Sequence, residues 1–252
     1  MKFIGITGGV GAGKTTVLAA IAKQFTARIL LADEIAHQLM EPGTSCYNRL
    51  RELFGQDDVW QLDGCFDRGK LAGLLFSDEQ KRSKLNAIVH PAVKKYVMEQ
   101  VRLERERGQY EYLFFEAALL IEEGYDQLCD ELWYIYTSEE NRRARLIADR
   151  GYGDQKIDDI FAAQRSEEEF RKYCTREIDN NQDIDFVIKQ LKQIKDTEGE
   201  KDGQTGIERE SACFWLGYRY EKCSRNSRIS GGRSDISRNC AICQGTYDSF
   251  YD

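Results

Sequence analysis

Eight consecutive residues, Gly8-Gly9-Val10-Gly11-Ala12-Gly13-Lys14-Thr15, have the spacing of a polyphosphate cradle: a glycine, four residues, then Gly-Lys-Thr. Glycines let a loop turn tightly and aim N–H groups at phosphate oxygens, and a helix starting behind the loop adds partial positive charge. On this reading Gly8, Gly11, Ala12 and Gly13 supply the backbone cradle. Lys14 neutralises the β- and γ-phosphates of ATP, and the Thr15 hydroxyl ligates Mg²⁺. Thr16 either touches the α-phosphate or is an ordinary helix residue. The competing interpretation, a turn that merely joins two elements, is disfavoured by the flanks. Phe3, Ile4 and Ile6 form a short strand-like run, and Val17, Leu18, Ile21 and Phe25 repeat at helical spacing.

Three further groups could do chemistry. Asp33 follows the apolar run Ile29-Leu30-Leu31 after one residue, Ala32, at the carboxyl end of a second strand, where open parallel sheets place ligands. A carboxylate there can take the proton of an acceptor hydroxyl, or it can cap the helical segment that opens at Glu34. His90 precedes Pro91 and reads as a helix-start residue that hydrogen-bonds a substrate or its neighbours; His37 reads as helix surface. Arg142, Arg143, Arg145 and Arg150 lie within one segment, and a guanidinium fork suits phosphate.

The elements that must position these groups alternate. After the two strands, residues 34 to 107 are mostly helical in pattern, broken at Pro42-Gly43, Asp63-Gly64 and His90-Pro91. Pro91 is expected in the first turn of the helix carrying Val93, Val97 and Val101. Strands follow at Tyr112–Phe115 and Leu132–Tyr136, the latter leading into an Arg-rich helix. This pattern predicts an α/β fold with a parallel sheet covered on both faces. Phe76, Leu85 and Ile88 read as core or lining of a helical subdomain.

Composition narrows the function. The 252-residue chain carries a formal net charge of -7, and no Lys/Arg run stands out before residue 197, which argues against nucleic acid as a partner. No segment approaches the roughly 18 apolar residues of a membrane span, and the opening apolar run is too short for a signal peptide, so a cytoplasmic location is expected. Cys46, Cys65, Cys129 and Cys174 read as reduced thiols. The guanine-reading Asn-Lys-x-Asp of GTP-dependent switches does not occur. The third strand ends Phe114-Phe115-Glu116, not in the Asp usual for motor ATPases, which leaves small-molecule kinases.

Further motifs make this specific. Ala32-Asp33, Pro42-Gly43, Phe54-Gly55, Asp63-Gly64, Asp67-Arg68, His90-Pro91, Ala118-Leu119-Leu120, Ala163-Gln164 and Ile178-Asp179-Asn180 together resemble the dephospho-CoA kinase family in order and spacing over about residues 1 to 196. The resemblance implies a P-loop three-layer fold with a helical substrate-binding subdomain and a lid. It implies ATP-dependent phosphorylation of the ribose 3′-hydroxyl of dephospho-CoA, giving coenzyme A. The alternatives are a nucleoside or nucleotide kinase of the same fold and a non-catalytic nucleotide-binding module. By the same resemblance Asp33 serves as base or substrate ligand, His90 touches substrate or is structural, and Asn180 lies at the nucleotide edge or marks a turn. The segment from Arg142 to Tyr152 is similar to the family's lid, with Arg145 and Arg150 on phosphate and Arg142 and Arg143 on a solvated face. Two departures stand out: Leu31 where the family commonly has Asp, and Ala118 where it has Pro.

From Thr197 the apolar pattern dissolves into Gly, Ser and charge, so the kinase unit is expected to span 1–196 and residues 197–252 to form a poorly ordered extension. That extension holds Cys213, Cys223, Cys240 and Cys243. Only the last two have metal-ligand spacing, and zinc binding is not expected. The enzyme is expected to act as a monomer or weak homo-oligomer.

Overall fold

The computed structural model describes residues 1–199. Five strands form one parallel sheet in the order β2-β3-β1-β4-β5. They are β1 (Lys2–Thr7), β2 (Ala27–Leu31), β3 (Tyr112–Glu116), β4 (Glu131–Tyr136) and β5 (Arg176–Asp179). Among them run α1 (Lys14–Gln24), α2 (Ala32–Leu39), α3 (Ser45–Phe54), α4 (Arg68–Ser77) and α5 (Glu79–Arg107). The second half adds α6 (Glu139–Arg150), α7 (Asp154–Ala163), α8 (Glu167–Tyr173) and α9 (Ile184–Gly199).

The strand sequences are apolar on both faces, as a sheet covered twice requires. On one face Phe3, Leu30, Leu113, Phe115, Leu132 and Tyr134 pack with residues of α2 through α5. On the other, Ile4, Ile6, Phe114, Trp133, Ile135 and Ile178 meet Val17, Leu18 and Ile21 of α1 and Val187 and Leu191 of α9. Neighbours in sequence thus serve opposite layers, and each fully buried Phe, Ile or Leu contributes about 1.5–3 kcal/mol. The three-layer expectation is met.

The helical subdomain is α3, α4 and the amino-terminal half of α5, packed around Cys46, Leu50, Phe54, Val59, Phe66, Leu71, Leu75 and Leu85. Side-chain caps fix its helix starts: Thr44 accepts from Tyr47 N–H, Asp67 from Lys70 N–H and Asp78 from Lys81 N–H. Phe76, expected as core or lining of this subdomain, is not core: it is exposed, near the end of α4 and off the face carrying Leu71 and Leu75.

Pro91 corrects the reading at that point. It lies inside the 29-residue α5, not in a first turn. An interior proline costs about 3 kcal/mol. Leu85, Val89, Val93, Val97 and Val101 continue one buried stripe across it, and their burial outweighs that cost. β5 was not foreseen: of its four residues only Ile178 is buried, too weak a pattern to stand out. Helix α9 continues three residues past the Asp196 boundary; the rest of the extension, with Cys213, Cys223, Cys240 and Cys243, lies outside the described residues. No helix among the described residues is long and apolar enough to cross a membrane.

Candidate active site

The register brings the carboxyl ends of three strands together. Glu116, the last residue of β3, stands opposite Ile6 of β1 on one side and Leu31 of β2 on the other. The glycine loop leaves β1 at Thr7 and Asp33 follows β2, so both emerge at the same edge of the sheet. This is the crevice position expected of a doubly wound sheet.

The loop is braced at Ala12. The Ala12 carbonyl accepts hydrogen bonds from Asn180 Nδ2 at 2.8 Å, Thr137 Oγ1 at 3.0 Å and Arg145 Nη1 at 3.3 Å. Arg145 also donates to the Asn180 carbonyl at 2.7 Å, and Asn180 is itself buried. Asn180 and Arg145 therefore meet the loop through the same backbone oxygen. Gly13 has φ +78°, and a Cβ there would stand 2.5 Å from Asn180 Nδ2, so a glycine is needed for both conformation and space.

On the open side, Lys14 Nζ donates to the Gly8 carbonyl at 2.9 Å and stands 3.8 Å from Glu116 Oε1. The lysine folds back over the loop it is to serve, within reach of the space a phosphate chain would fill. Thr15 and Thr16, in the first turn of α1, are exposed. The N–H groups of Thr16 and Val17 bond the Gly13 carbonyl, which starts α1 directly from the loop.

Asp33 lies in the first turn of α2, whose N-cap is Leu31, a residue with no capping side chain. The cap role weighed for Asp33 is therefore not the one its position provides. With Asn86, His90 and Glu123 it lines an otherwise apolar cleft between α2, α5 and the segment after β3. His90 Nδ1 is 2.7 Å from Glu123 Oε1, while Lys94 Nζ donates to the Glu123 carbonyl at 2.8 Å. Asp33 and His90, 57 positions apart in sequence, thus share one wall.

The arginines separate by environment. Arg143, as expected, is a surface residue, paired with Glu139, Asp154 and Asp158. Arg150, expected on phosphate, is exposed at the end of α6, its guanidinium 5.8 Å from the Tyr152 ring. Arg142, expected on a solvated face, instead turns inward. A Cβ on Gly9 would lie 1.7 Å from its Nη1, and its guanidinium stacks 4.2 Å over Phe161. Burial pulls its pKa below the ordinary guanidinium value. Gln164, just past α7, accepts from Arg142 Nη1 at 3.3 Å and from Val10 N–H at 3.2 Å.

Sequence reading passed over Glu116, Glu123 and Thr137 as site residues. Glu116 was findable, since it ends an apolar strand just as Asp33 follows one. Among the described residues no group of three or more His, Cys, Asp or Glu forms a metal-ligand set.

A family model described as dephospho-CoA kinase matches residues 2–185. The chain is 36% identical over 191 residues to a dephospho-CoA kinase of Symbiobacterium thermophilum, covering 76% of this chain and 79% of that protein. It is similar to the crystal structure of TT1252 from Thermus thermophilus at 29% identity and TM-score 0.63, covering 81% of this chain and 98% of that one. A dephospho-CoA kinase from Campylobacter jejuni shares the fold at 18% identity and TM-score 0.60, covering 79% and 98%.

Proposed function

The chain belongs to the dephospho-CoA kinase family and catalyses ATP-dependent phosphorylation of dephospho-CoA in coenzyme A biosynthesis, and on that premise we propose that Asp33 and Lys14 carry the transfer. The observation that carries the proposal is the shared edge: the phosphate cradle follows β1, and Asp33 follows β2 into a cleft that also holds His90. The ribose 3′-hydroxyl gives its proton to the Asp33 carboxylate as its oxygen bonds the γ-phosphorus. The bond from that phosphorus to the β,γ-bridging oxygen breaks, and ADP leaves with the electron pair. Gly8, Gly11, Ala12 and Gly13 hold the phosphates, Lys14 neutralises them, and Thr16 faces the α-phosphate. Asn180 supports nucleotide binding by bracing Ala12, and His90, oriented by Glu123, contacts the acceptor.

Arg145 holds the loop in shape through the Ala12 carbonyl, beside the cradle whose phosphates it serves. The exposed Thr15 and the carboxylate of Glu116, 3.8 Å from Lys14 Nζ, are residues that would hold Mg²⁺ arriving on the nucleotide; bound there, it would offset phosphate charge. Leu31 cannot add a third oxygen.

The kinase unit is residues 1–196, a reading supported by the family match ending at 185, and residues 197–252 extend it. We place the enzyme in the cytoplasm, as a monomer or weak homo-oligomer without nucleic-acid partners; its acidic balance supports the last point.

Asp33→Asn tests the assignment. The amide keeps the shape but cannot take the proton, so turnover should fall by about 10²–10⁴ with ATP affinity little changed. A variant that melts like the parent and keeps turnover within about threefold would place the base elsewhere.

A further inference from the structure

The lid arginines raise a question of charge balance. A guanidinium withdrawn from water needs an anion, and unpaired burial is costly. Arg143 has three carboxylates. Arg145 is satisfied by the Ala12 and Asn180 carbonyls and the Thr137 hydroxyl. Arg142 differs: no ion pair within 4 Å joins it to a carboxylate among the described residues, and its Nε is buried without a hydrogen-bond partner. Glu139 and Glu167 act on it only from beyond that distance. Its positive charge instead lies against Gly9, near the start of the phosphate loop.

Gln164 shows what the guanidinium faces. Its Oε1 accepts at once from the Val10 N–H of the loop and from Arg142 Nη1, a neutral oxygen held between a cradle amide and a cation. Its own Nε2 is buried and unpartnered, so this seat costs the glutamine a hydrogen bond. A phosphoryl oxygen would accept the same two donors while bringing the negative charge that Arg142 lacks. Displaced, Gln164 would be free to pair its amide elsewhere.

We propose that Arg142 binds the transferring phosphoryl group of ATP, taking over the oxygen seat that Gln164 Oε1 holds between Val10 N–H and the guanidinium. The inference rests on the ATP-dependent reading above, and it adds a catalytic residue to it. Arg142 acts on the non-bridging γ-oxygens, whose charge must be balanced as the phosphoryl group moves. The cation is already seated against the loop, with Phe161 stacked beneath it, so little reorganisation is needed when nucleotide arrives.

The test compares two nucleotides, which keeps it independent of the acceptor. Affinities for ADP and for an ATP analogue with a non-hydrolysable β,γ link are measured by calorimetry on the full chain and on Arg142→Ala. Loss of a charge-assisted contact to the γ-phosphate should weaken the analogue by about 10- to 100-fold and leave ADP within about threefold. Equal weakening of both would mean that Arg142 only shapes the loop, and no weakening would mean that it does not meet phosphate; either overturns the proposal. Should Arg142→Ala melt far below the parent, Arg142→Lys decides by the same ratio, since it keeps the charge and stem but not the fork. In that variant selective loss of analogue affinity supports the proposal, and an unchanged ratio overturns it. A parent that binds the analogue more tightly than ADP yet leaves dephospho-CoA unphosphorylated contradicts the acceptor reading alone.

Discussion

Replacing Gly13 by alanine should damage stability and nucleotide binding together, for reasons measurable in the structure. The residue has φ +78° and ψ 30°, the left-handed region, where an L residue costs about 1–2 kcal/mol. The new Cβ would stand 2.5 Å from Asn180 Nδ2 and 3.0 Å from Arg145 Nη1. Both are the ends of side chains, but neither can swing away cheaply, because each holds the Ala12 carbonyl. Losing one or two such bonds adds about 0.5–1.5 kcal/mol each. The total of roughly 2–4 kcal/mol corresponds to a fall of about 4–16 °C in Tm for a unit of this size. Calorimetry would show the fall alongside weaker ATP binding. Asn180→Ala in the Gly13→Ala background removes the clash, so the pair should cost less than the sum of the singles by about 1 kcal/mol. A Gly13→Ala protein melting within about 1 °C of the parent would show that neither the left-handed backbone nor the contact with Asn180 requires glycine there.

Two further outcomes are expected. Lys14→Ala should lose at least about 10² in turnover at saturating ATP, because the side chain reaches over the loop and not into the core; unchanged turnover contradicts the phosphate assignment. Glu131 concerns stability: burial raises its pKa, but bonds from Lys2, Trp133 and Arg176, each 2.9 Å long, outweigh that and bring it down to about 2. Because the folded value lies below the unfolded one of about 4.3, this stabilisation is complete above pH 4.3 and vanishes as pH falls towards 2. Glu131→Gln should therefore cost roughly 1–2 kcal/mol near neutrality, after allowance for screening, with the gap to the parent closing below about pH 4. A gap independent of pH in urea titrations would show that the ion pairs contribute nothing.

What the sequence disclosed was whatever local chemistry enforces. The loop from Gly8 to Thr15 must be glycine-rich, and the apolar runs flanking it must be a strand and a helix, so β1 and α1 were legible on either side of it. Asp33 was legible because it follows an apolar run. Pro91 misled because its local preference for a helix start yields to a stripe of valines and leucines packed along α5, which only tertiary structure weighs. The arginines of α6 misled for a similar reason. Spacing alone does not say which turn of that helix faces the loop, and Arg142 and Arg145 lie on it three residues apart. The bracing of Ala12 by Thr137, Arg145 and Asn180 joins residues up to 168 positions apart and leaves no local pattern to read.

Phosphorylation of dephospho-CoA by this site is read from an acceptor panel. Purified protein is incubated with ATP and Mg²⁺ and, in turn, dephospho-CoA, AMP, CMP or adenosine, and ADP and the phosphorylated product are quantified. One ADP should form per dephospho-CoA consumed, the product should bear the new phosphate on the ribose 3′-oxygen, and the other three should turn over far more slowly. Preferential phosphorylation of AMP, CMP or adenosine, or nucleotide binding without transfer to any acceptor, would contradict dephospho-CoA as the acceptor.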